Sequence, residues 1–255
     1  MTTPLDLSPA PGAVPLPRMV LSQAGYEFRT VLRNGEQLLL TLIIPVVLLV
    51  LFSATSLLDL GGRRVDFLTP GVLALAVMST AFTGQAIGTG FERRYGVLKR
   101  LGATPLPRAG LIGAKTASVL AVEAVQAAVI CAVALGLGWR PDGDPASVVV
   151  LLLLGTAAFS GLGLLMAGTL RAEATLAAAN LVYILLLAVG GVVFPLDKFP
   201  GPVRGALELL PISALAEGLR DVLRDGAAFP AQPLIVLAVW AAAALALAAR
   251  FFRWE

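Results

Sequence analysis

Histidine is absent from this chain and cysteine occurs once. The first absence removes the commonest general base near neutral pH and the commonest metal ligand. Cys131 can form no internal disulfide, and its place in an apolar run says nothing of the redox compartment. Charge is also scarce: 14% of the 255 residues are charged and 58% are hydrophobic, whereas a soluble domain carries about 25% charged residues. That balance excludes an ordinary soluble protein and identifies an integral membrane protein. A phosphate loop is lacking too, because Gly110–Thr116 has Ala114-Lys115 where the required pair is Gly-Lys, and no strand or soluble domain precedes it. No clustered Asp motif offers a membrane-embedded phosphotransferase its chemistry. The residues before Leu38 contain no short apolar core with a small-residue cleavage site, so the first apolar segment is expected to be retained as a helix.

What the chain has is apolar length. About 20 apolar residues cross roughly 30 Å of hydrocarbon, and six such segments stand out: Leu38–Leu58, Leu68–Gly90, Leu111–Leu137, Ser147–Leu170, Thr175–Phe194 and Pro233–Ala249. Each is expected to be helical, since an open strand would leave backbone groups unsatisfied in lipid. The expected fold class is therefore all-α, a polytopic membrane protein with six transmembrane helices. Twelve of the nineteen Lys and Arg fall on one side of that arrangement. By the positive-inside rule both termini and the loop after the second segment are then cytoplasmic, in a bacterial plasma (inner) membrane. The net charge of +3 is explained by this topology, and no nucleic-acid partner is expected.

The amino-terminal region divides in two. Residues 1–17, rich in Pro, Ser and Ala, lack a hydrophobic period and read as a disordered tail. Over residues 18–36, Val20, Leu21, Ala24, Phe28, Val31 and Leu32 recur at helical spacing, which predicts an amphipathic helix in the membrane interface. Asn34-Gly35 offers a bend before the first span. The densest basic stretch is the loop of residues 91–108. There Phe91–Leu101 is expected to continue the second span as a short helix, stopped by Gly102 and by Thr104-Pro105-Leu106-Pro107.

On these residues the chain resembles the type-two ABC exporter permeases, a superfamily of drug, polysaccharide and lipid exporters. The matching positions are Glu92, Arg93, Gly96, Leu98, Lys99, Leu101, Ala103, Thr104, Pro105, Arg108 and Lys115. The resemblance implies that Glu92, Arg93, Arg94, Tyr95, Gly96, Leu98, Lys99, Arg100 and Leu101 include a coupling helix that docks on a separate ABC ATPase subunit. It also implies a second permease copy or paralogue, a transport route between the two, and ATP and Mg on the partner subunit. No cofactor, metal site or catalytic residue is expected on this chain itself. Its environment is membrane lipid, and the apolar lining suits an amphipathic cargo such as a lipid or hydrophobic drug.

Several polar residues fall inside the spans. Glu123 lies about 12 Å along the helix from Lys115, and Gln126 shares its face. These two either line a transport pathway or make hydrogen bonds between helices. Gln85 and Asn180 read as helix-to-helix hydrogen-bonding groups or as pathway contacts. Gly84 and Gly88 form a small-xxx-small pair suited to close helix approach, and Pro45 marks a kink.

The 195–232 connection, expected outside the cell, follows a break at Gly190-Gly191. It contains a short helix stopped by Pro211, then a second helix capped by Ser213, with Leu215, Leu219 and Val222 or Leu223 on one face and Glu217, Arg220, Asp221 and Arg224 on others. The alternative function is a membrane assembly or cofactor-biogenesis permease-like protein, which would share the same spans without efflux.

Overall fold

Helices are the only answer the described chain gives to the backbone hydrogen-bond requirement of lipid. A computed structural model describes residue 12, residues 14–55 and residues 63–252. Most of the tail expected over residues 1–17 lies outside the described residues. The first helix, α1 (Leu16–Arg33), starts slightly earlier than expected, with proline in its opening turn, where the missing N–H costs nothing. Asn34 is extended and its side-chain Oδ1 accepts from the backbone N–H of Gln37 at 3.2 Å, so the expected bend is also a cap.

The first apolar segment comprises α2 (Gly35–Leu38), a π-helical turn (Leu39–Ile43) and α3 (Ile44–Ala54). Its apolar helix Thr41–Ala54 is shorter than a full span, and Ser56–Leu58, the end of the expected segment, lies outside the described residues. Among the described residues five other helices are long and apolar enough to cross a membrane. The first of these runs Arg64–Arg94 and consists of α4 (Arg64–Val77), a π-helical stretch (Met78–Gly84) and α5 (Gln85–Arg94). At 94% buried it is the axis of the bundle, with α3 and helices later in the chain packed around it.

After α5 come the short α6 (Val97–Gly102) and then the long α7 (Arg108–Gly136), α8 (Pro145–Thr169) and α9 (Ala172–Val189). The ends bearing α5, α6 and the start of α7 form the basic end of the bundle. Span five stops at Val189 instead of Phe194, because Gly191 takes the left-handed conformation at φ +72°, which an L side chain resists. A 3₁₀ turn (Leu196–Lys198), α10 (Gly201–Glu208) and α11 (Pro211–Leu223) lead to the last span, α12 (Ala231–Phe251).

Two expectations are corrected in this region. Pro211 opens α11 instead of merely stopping α10, and Ser213 does not cap: Leu210 is the N-cap residue, and Ser213 is fully buried within the first turn. The two-faced α11 expected from sequence is in fact buried nearly all round, with Ile212, Leu215, Leu219 and Val222 at 0% exposure, wedged among α4, α8 and α12.

The Gly84/Gly88 pair divides. A side chain at Gly88 would meet nothing within 4 Å, whereas a Cβ at Gly84 would lie 3.2 Å from Gln37 Nε2 on α2. A tighter approach is at Gly161 on α8, where a Cβ would lie 2.8 Å from Ala244 on α12.

Candidate coupling site at the basic end

The expected single helix over 91–101 is broken in two. The N–H of Tyr95 still bonds the carbonyl of Phe91, but Gly96 turns left-handed at φ +70° and α6 starts afresh. Glu92, Arg93 and Arg94 therefore belong to the end of the axial helix, and Leu98, Lys99, Arg100 and Leu101 to α6. Leu98 is the anchor, at 3% exposure, and the exposed Tyr95, Lys99 and Arg100 face outward.

The charges at the helix end turn inward. Arg93 donates to the carbonyl of Leu170 and Arg94 to the carboxylate of Glu173, which ties the axial helix to the α8–α9 connection. Glu92 accepts from Lys115 Nζ at 2.6 Å, and the same ammonium lies 3.4 Å from Glu27 on α1. Lys115 is 8% exposed. One cation thus joins α1, α5 and α7. Burial pushes the Glu27 carboxyl above its ordinary range, opposed by Lys115 and by a hydrogen bond from Gln23. Glu27 and Lys115 stand 88 residues apart on different helices, and no helical period relates them.

The intramembrane polar residues separate into different roles. Gln126 Nε2 donates to the Thr41 carbonyl at 2.6 Å, and its Oε1 accepts from Thr80 Oγ1 at 2.9 Å. Thr41 stands four residues before Pro45, whose missing N–H leaves that carbonyl without its helical donor. Gln126 supplies the substitute. It bridges two π-helical stretches, one in each of the first two apolar segments.

Glu123 accepts from Thr156 Oγ1 on α8 at 2.5 Å, and its second oxygen is buried without a protein donor among the described residues. It lines a cleft of 160 Å³ with Leu73, Ala76 and Leu152. Gln85 is buried on the axial helix, and neither atom of its amide has a described partner. Among the described residues no helix receives the Asn180 side chain, expected to make an interhelical hydrogen bond or a pathway contact. This residue lies on the exposed face of α9 beside Leu181 and Ile184, which are 59% and 61% exposed.

Sequence reasoning missed Arg220 altogether. Expected on a polar face of α11, it is 2% exposed. Its guanidinium donates to the carbonyls of Phe67, Gly191 and Val192 at 3.2, 2.7 and 2.9 Å and to Glu217 at 2.6 Å. The same group covers the Phe67 ring at 3.8 Å. The carbonyls it satisfies come from the break after α9 and from the start of the axial helix, positions that no helical period relates.

Comparison with known proteins agrees with this architecture. The ABC-2 type transporter family model matches residues 22–223. The linearmycin resistance permease protein LnrN of Bacillus subtilis (strain 168) is 31% identical over 147 residues, 56% of this chain and 37% of LnrN's own length. YvfS of the same strain, named as a transport permease, is 26% identical over 223 residues, covering 83% of this chain and 88% of YvfS.

Proposed function

Because this chain belongs to the ABC-2 type transporter family, we propose that it is the permease subunit of an ATP-driven exporter, pairing with a second copy or paralogue and moving an amphipathic lipid or hydrophobic drug outward across a bacterial plasma membrane. In this reading ATP and Mg act on a separate ATPase subunit. The basic end and both termini face the cytoplasm, where α6 meets the ATPase, and the 195–232 connection faces outside. The relative whose printed name refers to resistance to linearmycin favours a drug as the cargo.

One observation carries the coupling part of the proposal: α6 is short, anchored by Leu98, and joined through Gly96 to a helix end whose charges hold α1, α7 and the α8–α9 connection. A displacement of α6 is thereby delivered to several helices at once, the kind of rigid-element movement that alternating access requires. The test is co-expression with the candidate ATPase. The two should copurify, and reversing Arg100 to Glu should lose the ATPase at least tenfold while leaving the permease's thermal unfolding unchanged. Copurification undiminished by that reversal, or ATP hydrolysis by the purified chain alone, would overturn the reading.

A further inference from the structure

A cavity of about 400 Å³ lies between α1, the axial helix and α7 at the basic end, within the roughly 300–1,000 Å³ typical of small-molecule sites. Its charged lining residues are Glu27, Glu92 and Lys115. Lys115 is already held by both carboxylates, at 3.4 and 2.6 Å. Two acids against one ammonium leave a net negative charge facing the cavity, in surroundings that screen it poorly. The rings of Tyr26 and Phe91 also line the space, and aromatic faces attract cations. Gln85 adds an independent sign of a ligand. It is 7% exposed, it lines the same cavity, and both polar atoms of its amide are buried without a partner among the described residues. A buried amide left unpaired is costly, so a donor or cation that reaches it from the cavity relieves that cost. Gly88 lines the cavity where it opens outward: the residue is exposed and a Cβ there would touch nothing within 4 Å.

We propose that this cavity binds a lipophilic monocation, an ammonium or phosphonium carrying apolar groups, held by the Glu27–Glu92 carboxylates, the Gln85 amide and the aromatic wall. The inference rests on the permease reading, of which it names the cargo class. An anionic headgroup would face the excess carboxylate with its one nearby ammonium already engaged.

The test uses the full chain in neutral-lipid nanodiscs, with Cys131→Ala as background and Gly88→Cys as reporter. The rate of maleimide labelling at position 88 is measured against tetraphenylphosphonium and tetraphenylborate, ions of the same shape and opposite charge. The phosphonium should slow labelling at least fivefold and the borate should not. Glu27→Gln and Gln85→Leu should each raise the half-protecting phosphonium concentration at least fivefold. Equal protection by both ions, or unchanged half-protection in Gln85→Leu, would overturn the proposal. If Glu27→Gln fails to fold, the paired ions and Gln85→Leu still decide it. No ATPase is needed, so failure here leaves the coupling proposal standing, and loss of ATPase copurification leaves the protection result intact.

Discussion

Gln126 shows how a single side chain can repair a backbone defect. Pro45 removes the N–H that would otherwise take the Thr41 carbonyl, and the Gln126 amide replaces it from another helix at 2.6 Å. Gln126→Leu should destabilise the protein by about 1–3 kcal/mol, the cost of a buried carbonyl left unpaired. Adding Pro45→Ala should recover part of that loss by restoring the in-helix donor. Unfolding of the single and double variants in detergent checks both, and a double variant no more stable than Gln126→Leu alone would separate the proline from the amide. Arg220 answers a larger defect, the carbonyls bared where the chain leaves α9. Arg220→Lys should be nearly as damaging as Arg220→Met, each costing on the order of 3 kcal/mol or more, because an ammonium cannot reproduce the planar fork. Protease cleavage within residues 190–200 should rise in both variants.

Among the elements, the α5–α6 junction is the point where geometry is least forgiving. Gly96 has φ +70° with open space around the missing Cβ, so a substitution there is penalised by backbone strain and not by collision. Gly96→Val should cost roughly 1–2 kcal/mol locally and reduce ATPase copurification. Gly96→Asn should retain most of it, since asparagine tolerates this conformation better than other L-residues. A Val variant that retains the ATPase fully would show that the turn does not position α6. The breadth of the buried surface on α11 is the second lesson at this scale: a helix whose composition reads as two-faced is enclosed on nearly every side because Arg220, its most polar inward residue, is satisfied by backbone carbonyls.

Across the whole molecule, burial is uneven. The axial helix is 94% buried over its span window, whereas Ala172–Val189 is only 17% buried and carries Asn180 on its exposed face. An amide facing hydrocarbon is costly unless another helix receives it. In the proposed pairing of two permeases, α9 is therefore the face expected to meet the second copy. Ile184→Cys on a Cys131→Ala background should give oxidative cross-links between copies in native membranes, whereas the same substitution at Leu75, at 0% exposure on the axis, should give none. Cross-linking from neither position would move the pairing face elsewhere.

The apolar runs, the proline and glycine stops and the asymmetry of Lys and Arg already determined an all-helical bundle, most of its span boundaries and the break after span five, because lipid demands length and internal hydrogen bonding from each segment separately. The stop at Gly102 and Pro105–Pro107 likewise marked where α6 ends, but nothing in the sequence pattern placed the break at Gly96 that starts it. The tertiary structure alone decided which charges meet. Lys115 with Glu27 and Glu92, Gln126 with Thr41, and Arg220 with the carbonyls of Gly191 and Val192 join residues far apart in the chain. Helical periodicity states which face a side chain occupies and carries no information about the distant helix that packs against it.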